Sequence, residues 1–151
     1  MKILDILRPE AIKVPLEASD KRSAIHEMVE LLASAGLIDR PADVEQAVWE
    51  REQQRTTGIG EGLAIPHGKT TGLDRLVMAI GRPTDPIDFQ SMDRKPVQLI
   101  VLLISPNDRT HDHIQALGKI SRMMSDATFR RTAYAAETSE ELFTLLRDRD
   151  T

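Results

Sequence analysis

The chain has 151 residues and a formal net charge of -4, with 29% charged residues and 40% in the set AVILMFWYC. This balance is typical of a globular protein with one packed core and excludes wholesale disorder. The length favours a single domain over residues 1–151. The absence of cysteine excludes a disulfide scaffold, a thiol nucleophile and a thiolate metal site. The basic residues form no stripe, so nucleic acid is not an expected partner.

The sequence lacks the features of exported or membrane-inserted chains. An acidic residue, Asp5, follows the first apolar residues at once, so no signal peptide is predicted. The longest apolar run, Leu99–Ile104, is far shorter than the roughly 20 residues that span a bilayer. We therefore expect a soluble cytoplasmic protein without membrane insertion.

Helices are predicted on both sides of the middle of the chain. Residues 19–36 carry apolar side chains at helical spacing, and Pro41 suits the first turn of a second helix. Further helices are predicted over residues 110–125 and 126–136. A capping box at residues 138–141 begins the last helix.

The middle of the chain carries strand patterns. Residues 76–80 and 97–104 are short apolar runs, and the second is nearly continuous, as expected for a strand covered on both faces. Residues 81–86 contain glycine and proline and are predicted to form a loop. Because helices precede and follow the strands, we predict an α/β fold in three layers, with helices on both faces of a sheet.

Segment 57–68 is unlike the rest of the chain. Its three alternate glycines give up side-chain packing and are costly to order, which is usually tolerated where the backbone turns sharply or approaches a ligand. Pro66 fixes its own φ and favours extended backbone before it, so His67 is predicted to leave the end of an ordered strand. Gly68 leaves room beside the ring. The segment therefore presents a histidine beside exposed backbone N–H groups.

Two phosphate-binding motifs come close to this segment but do not fit it. Gly58-x-Gly60-x-Gly62 lacks the G-x-G-x-x-G spacing of a dinucleotide fold. Between Gly62 and Gly68 five residues intervene, where a P-loop has four. On residue chemistry alone, a glycine-rich hairpin with an incidental histidine remains an alternative.

Two histidines lie close together in the third predicted helix, and the helical period separates them. His113 shares an apolar stripe with Leu117 and Ile120, whereas His111 points roughly to the opposite side. His113 is then either a histidine at the edge of the core, bonded to a carbonyl, or the partner of a charged or polar group at the strand ends.

Arg51 interrupts an apolar stripe just before the glycine-rich segment. It follows Val44 and Val48 on one face of the second predicted helix. Its stem can lie along the core while its head stays in water. Alternatively, its guanidinium can hold a phosphate, whose oxygens match the planar fork of donors.

A metal-dependent hydrolase is the alternative from another class of function. It would use His67, His111 and His113, but the last two diverge on the helix. No acidic residue lies three or four positions after His67. A serine hydrolase is rejected because the chain has no G-x-S-x-G motif.

Segment 57–68 closely resembles the enzyme IIA family of the bacterial phosphoenolpyruvate-dependent phosphotransferase system, in its fructose/mannitol and nitrogen-regulatory branch. The resemblance extends over nearly the whole chain. Arg51-Glu52 precede the motif as in the family, residues 86–89 and 96–97 resemble its middle section, and His113 matches its second histidine. It implies a single enzyme IIA type-2 domain, with a mixed central β-sheet flanked by helices on both faces.

The resemblance also implies the reaction. His67 matches the phosphorylated histidine, which accepts a phosphoryl group from a small phosphohistidine carrier protein, HPr or its nitrogen-branch counterpart. His113 is expected to stabilise the transferred group and Arg51 to bind it, without a metal or an organic cofactor. The loop residues expected to contact the phosphate are Thr57, Gly58, Gly60 and Gly68.

The branch of the family follows from what the chain lacks. In fructose and mannitol systems, IIA passes phosphate to a IIB domain whose acceptor is a cysteine, and this chain has no cysteine. A free-standing IIA of this pattern resembles the nitrogen-regulatory proteins, which control nitrogen metabolism and potassium handling by binding target proteins. We therefore expect a phosphotransfer regulator. The alternative is a stand-alone fructose/mannitol IIA that feeds a separate IIB domain and permease.

Overall fold

The computed structural model describes residues 1–150. Within these residues, a short 3-10 helix at Ile3–Asp5 is followed by five α-helices and six strands. In chain order these are β1 (Leu7–Leu16), α1 (Lys21–Ser34), α2 (Pro41–Gln54), β2 (Gly58–Gly60), β3 (Leu63–Ala64), β4 (His67–Thr70), β5 (Val77–Pro83), β6 (Leu99–Pro106), α3 (Thr110–Met123), α4 (Ala127–Tyr134) and α5 (Ser139–Arg149).

All six strands belong to one mixed sheet. Its order is β1-β5-β6-β3-β2, and β4 also pairs with β6. β6 is antiparallel to β5 on one side and parallel to β3 and β4 on the other, while β1 runs parallel to β5. The central strand therefore contacts three neighbours, and the predicted mixed sheet is confirmed.

Side-chain alternation along β6 builds a core on each face of the sheet. Every residue of this strand is buried, and successive side chains of a strand point to opposite faces. Leu99, Val101 and Leu103 pack in a first core with side chains of α3, α4 and α5, whereas Ile100, Leu102 and Ile104 pack in a second core with side chains of α1 and α2. Helices thus cover both faces, as predicted.

Each predicted helix is present, and local chemistry explains where each begins. Asp20 caps α1 by accepting a first-turn N–H at 2.8 Å, and Pro41 is the first residue of α2. Thr138 caps α5 by accepting the N–H of Glu141 at 3.1 Å. In a capping box, the Glu141 carboxylate would accept the N–H of Thr138 in return. In the structure it accepts the N–H of Glu137 instead. None of the helices within residues 1–150 is long and apolar enough to cross a membrane.

The sequence patterns do not predict β1. Pro9 and Pro15 interrupt its apolar pattern. The strand lies at one end of the sheet, and its register with β5 is irregular between Leu7 and Ile12, where Pro9 lies. A strand at the sheet edge tolerates proline because one of its sides has no ladder to complete.

The predicted loop over residues 81–86 is wrong in its first half, because β5 continues to Pro83. Gly81 pairs with Ile100 in the centre of the sheet. A Cβ atom at Gly81 would lie 2.6 Å from a methyl carbon of Leu16. This glycine therefore serves close packing of the strand rather than a turn.

Candidate functional site

His67 lies at the point where the strand paired with one edge of β6 changes from β3 to β4. β3 pairs with the beginning of β6, with Leu63 opposite Leu99, and β4 pairs farther along, with His67 opposite Leu103. Between them, Pro66 has no N–H for the ladder, and its carbonyl accepts the N–H of Leu103 at 3.1 Å. His67 thus begins a strand, which corrects the expectation that it leaves the end of one.

The glycine-rich part of the segment is a hairpin of β2 and β3. Its turn has positive φ at Gly60 (102°), Glu61 (56°) and Gly62 (82°), a backbone region that glycine enters without strain. The Tyr134 hydroxyl donates to the Glu61 carbonyl at 2.7 Å, and the Glu61 N–H donates to the Asp93 carboxylate at 2.8 Å. These bonds fix the hairpin, one strand of which lines the same cavity as the histidine.

The His67 ring is held by a single hydrogen bond to the backbone. Its Nδ1 lies 2.8 Å from the carbonyl oxygen of Ile65. Because a carbonyl only accepts, Nδ1 carries the proton, and the lone pair of the neutral ring is on Nε2. The pKa of His67 is lowered below its usual value, mainly by burial and further by the charges of Arg51 and Lys69. The ring therefore stays neutral and nucleophilic at neutral pH.

His113 is buried beside His67. Its Nδ1 lies 2.6 Å from the hydroxyl oxygen of Ser105, at the end of β6, and the two histidine rings meet edge to face with centroids 5.1 Å apart. Burial, followed by repulsion from His67 when that ring is protonated and by the charge of Lys69, lowers the pKa of His113 to about 4. Of the two roles left open by the sequence, the structure places His113 against polar groups at the strand ends rather than against a carbonyl.

A cavity of about 380 Å³ opens beside His67. The end of α2 contributes Arg51, whose Nη1 donates to the Arg55 carbonyl at 3.0 Å. Ile59 of the hairpin and Met92 also line it, and their side chains are 54% and 73% exposed. We call these two residues the apolar rim. The cavity thus combines a neutral imidazole, a guanidinium and apolar surface open to solvent.

A buried carboxylate that sequence reasoning missed lies next to this cavity. Glu52 is 3% exposed and accepts the backbone N–H of Thr57 at 2.9 Å, the hydroxyl of Thr57, and the ammonium of Lys21 at 3.0 Å. Thr57 lines the cavity, but both of its donors are engaged by Glu52. The only sequence signal for Glu52 was its place beside Arg51.

The predicted glycine contacts fall into two groups. Gly58 lines the cavity, whereas Gly60 and Gly68 do not belong to its lining. A Cβ atom at Gly60 would lie 3.1 Å from the Asp93 carboxylate, and one at Gly68 would lie 3.2 Å from the backbone nitrogen of Val48. Gly68 therefore lets β4 approach α2 closely, which fixes the distance between His67 and the helix that carries Arg51.

The three histidines considered for a metal site do not converge. His111 is exposed on α3, while His113 is buried on another side of that helix. Within residues 1–150, no group of three or more His, Asp or Glu side chains is arranged to hold a metal ion. The geometry therefore gives the hydrolase alternative no ligand set.

Comparison with known proteins identifies the family of this chain. The family described as "Phosphoenolpyruvate-dependent sugar phosphotransferase system, EIIA 2" matches residues 5–149. A nitrogen regulatory protein of Bradyrhizobium diazoefficiens is 35% identical over 150 residues, which cover 97% of this chain and 95% of that protein. The fructose-specific EIIABC component of Bacillus subtilis is 32% identical over 150 residues, 99% of this chain. This chain spans only 24% of the length of that component.

A solved structure agrees in fold as well as in sequence. The nitrogen regulatory protein IIA-Ntr from Neisseria meningitidis superposes with a TM-score of 0.85 at 31% identity, covering 94% of this chain and 97% of that one. The family match and the similar structure together identify an α/β domain of the phosphotransferase system. The chain belongs to the EIIA type-2 family of the phosphoenolpyruvate-dependent phosphotransferase system.

Proposed function

We propose that this chain is a cytoplasmic phosphoryl carrier that accepts a phosphoryl group on Nε2 of His67 from an HPr-like phosphocarrier protein. The observation that carries the proposal is the hydrogen bond between Nδ1 of His67 and the Ile65 carbonyl. It directs the free lone pair of the ring away from the backbone. A lowered pKa keeps that lone pair available at neutral pH.

The proposed transfer is a direct displacement at phosphorus. A bond from Nε2 of His67 to phosphorus forms as the nitrogen–phosphorus bond of the donor breaks, and the donor imidazole recovers its electron pair. Such a reaction needs mainly positioning and charge stabilisation. It requires no metal and no organic cofactor.

Three groups around His67 suit the charge of the transferred group. Arg51 lines the cavity, and its planar fork of donors matches phosphoryl oxygens. If the Ser105 hydroxyl donates to Nδ1 of His113, Nε2 of His113 carries the proton and can donate to the same oxygens. The backbone of Gly58 supplies a further wall of the cavity. Thr57, Gly60 and Gly68 act less directly, by holding the hairpin and β4 in place.

The apolar rim suits a protein partner. Exposed apolar side chains next to a polar site are typical of interaction surfaces. Ile59 and Met92 flank the cavity from two different segments, so a docked carrier would cover the cavity and exclude water during transfer. The donor is therefore proposed to bind across the rim.

Phosphorylation at this position can act as a switch. The phosphoryl group adds about -1.5 to -2 charges at one spot. A partner that covers the neutral ring with an apolar surface would then bury an unpaired anion, unless it supplies a cation. We therefore propose a regulatory role of the nitrogen-regulatory type, in which the phosphorylated and free forms select different target proteins. The relative with that name is matched over 95% of its length.

The carrier role is tested by a defined phosphorylation reaction. The chain is mixed with phosphoenolpyruvate, enzyme I and an HPr-like carrier and is then weighed by mass spectrometry. We expect a gain of one phosphoryl group that is labile in acid and absent from His67→Gln. No gain by the wild-type chain with cognate donors would contradict the proposal.

The switch is tested by comparing partners of the two forms. His67→Ala and the phosphorylated wild-type chain are immobilised separately and used to capture partner proteins. The affinity of each captured protein is then measured for each of the two forms. We expect at least one target to bind His67→Ala and not the phosphorylated chain. Equal affinity of every target for both forms would contradict the switch.

A stand-alone sugar-transport role is the second candidate. The similarity to the fructose-specific component of Bacillus subtilis extends over 99% of this chain and supports it. In that role, His67 would pass the phosphoryl group to a cysteine of a separate IIB domain. Loss of fructose uptake in a deletion strain would favour this role over the regulatory one.

A further inference from the structure

A buried carboxylate links two helices to the loop that leads to the site. Glu52 lies in the last turn of α2 and is 3% exposed. It forms an ion pair with Lys21 of α1 at 3.0 Å and accepts both the N–H and the hydroxyl of Thr57. Removing a carboxylate from water is unfavourable unless its oxygens are satisfied. Here three donors satisfy them.

The hydrogen bonds continue from Thr57 to the reacting ring. The N–H of Ile65 donates to the Thr57 carbonyl at 3.0 Å, and Nδ1 of His67 donates to the Ile65 carbonyl at 2.8 Å. These bonds join the last turn of α2, the segment before β2 and the segment between β3 and β4. Glu52 is therefore connected to His67 by a series of hydrogen bonds that are linked through the backbone of Thr57 and of Ile65.

The same carboxylate also sets the position of Arg51. Arg51 and Glu52 are neighbours in the last turn of α2, so the hydrogen bonds that Glu52 accepts from Thr57 fix that turn relative to the hairpin. Arg51 faces the cavity and Glu52 faces the core side of the same turn. One anchor thus determines where the guanidinium and the imidazole lie relative to each other.

We propose that Glu52 is a positioning residue for phosphoryl transfer, which holds the Nδ1–H form and the orientation of His67 through Thr57 and Ile65. The inference rests on the proposed phosphorylation of His67. Glu52 does not touch the phosphoryl group, since its oxygens are engaged by Lys21 and Thr57. Its effect is geometric, with a smaller electrostatic part, because its charge raises the pKa of His67.

The test compares Glu52→Gln with Glu50→Gln. Glutamine keeps the size of the side chain, but one carboxylate oxygen becomes an NH2 group. This group only donates, so it cannot accept the hydrogen bonds of Lys21 or Thr57. Glu50 lies on the same helix, is exposed, and accepts a hydrogen bond from the nearby Gln46. Its variant is therefore a matched control for the loss of one negative charge on α2.

Two measurements separate positioning from folding and docking. In Glu52→Gln we expect the rate of phosphorylation at saturating HPr-like donor to fall about 10-fold to 100-fold, because a displacement of about 1 Å at a reacting centre can cost about 100-fold. The KM for the donor should stay within about twofold, since the apolar rim is untouched. Nitrogen NMR of the His67 ring should show loss of the single Nδ1–H tautomer and a lowered pKa. Glu50→Gln should match the wild type in all of these.

A double variant distinguishes positioning from simple charge pairing. In Glu52→Gln alone, the Lys21 ammonium loses its partner, and an unpaired buried charge destabilises the fold. Adding Lys21→Met removes this charge and therefore this cost in stability. We expect the double variant to recover thermal stability without recovering the transfer rate or the ring tautomer. Recovery of the rate by the double variant would overturn the proposal, as would a wild-type rate and tautomer in Glu52→Gln.

A third variant covers the case in which Glu52→Gln does not fold. Thr57→Val keeps the shape of the side chain and the carboxylate but removes the hydroxyl bond. We expect a smaller decrease in rate and a partial loss of the Nδ1–H tautomer, and no change in either would overturn the proposal. The NMR measurement needs no phosphoryl donor. If the wild-type chain is not phosphorylated, the proposed function is rejected, but the NMR spectra still show whether Glu52 holds the His67 ring.

Discussion

Two neutral histidines define the site at the scale of single residues. Burial is the largest cause that lowers the pKa of each histidine from its usual value. The hydrogen-bond partners differ, with a carbonyl for His67 and a hydroxyl for His113. A carbonyl dictates the tautomer of a ring, whereas a hydroxyl can donate or accept. His67 is therefore the more strictly fixed of the two.

The buried state of His113 makes the stability of the fold depend on pH. Its pKa is about 4 in the folded chain and 6.5 as its reference value, so the unfolded chain binds more protons between these values. Stability is fully present above the reference pKa and falls as pH decreases toward 4, by up to about 3 kcal/mol. Urea unfolding at several pH values should show this decrease, and His113→Gln should show a shallower one. An equal slope in the variant would contradict the assignment.

The sequence predicts part of this site, for physical reasons. His67, His113 and Arg51 stand out because each interrupts a pattern: a glycine-rich run or an apolar stripe. Glu52 and Ser105 do not stand out. A carboxylate on a charged helix usually faces water, and a serine at a strand end usually belongs to a turn. Their burial follows from contacts between elements, which a single sequence does not display.

At the scale of elements, the prediction succeeds where one segment determines its own structure. The helices have local caps and one apolar face, so their existence follows from nearby residues. β1 and the short strands β2, β3 and β4 depend instead on neighbours that are distant in the chain. Their sequences are poor in apolar alternation, and tertiary pairing overrides local preference. The same dependence on distant partners explains why the sequence predicts a loop where β5 ends.

Close packing of β5 against α1 predicts a strong effect of one added methyl group. In Gly81→Ala, the new Cβ atom would lie 2.6 Å from Leu16 and 2.7 Å from the sulfur of Met28. We expect a loss of about 1–3 kcal/mol of unfolding free energy, as for overpacked cores. Gly118→Ala is the matched control, since only the flexible end of Arg122 lies near and the residue is within α3. It should stabilise the fold by up to about 1 kcal/mol, and equal effects of the two changes would contradict the packing argument.

At the scale of the whole molecule, one strand connects the two cores. Alternate side chains of β6 belong to the core on each face. Neither core can lose its contacts without exposing part of the same strand. We therefore propose that the chain unfolds as a single cooperative unit, as expected for one domain of this length.

This coupling can be measured across the sheet. Trp49 packs against the second core, whereas Leu142 is fully buried in the first. Leu142→Ala should cost about 2–5 kcal/mol and should lower the urea midpoint reported by Trp49 fluorescence, although the two residues lie on opposite faces. Ile114→Ala, at a site 63% exposed, should leave that midpoint nearly unchanged. An unaltered Trp49 midpoint in Leu142→Ala would indicate two independent cores.

The bond between Nδ1 of His67 and the Ile65 carbonyl has a consequence for the fate of the phosphoryl group. In the proposed transfer, attack through Nε2 leaves the Nδ1 proton in place, and the carbonyl of Ile65 continues to hold it. The phosphorylated ring is then cationic, and the group that departs in the next transfer is a neutral imidazole rather than an imidazolate anion. A neutral leaving group departs with a lower barrier. If His67 is phosphorylated as proposed, the Ile65 carbonyl that orients the ring for attack also keeps the nitrogen–phosphorus bond easy to break.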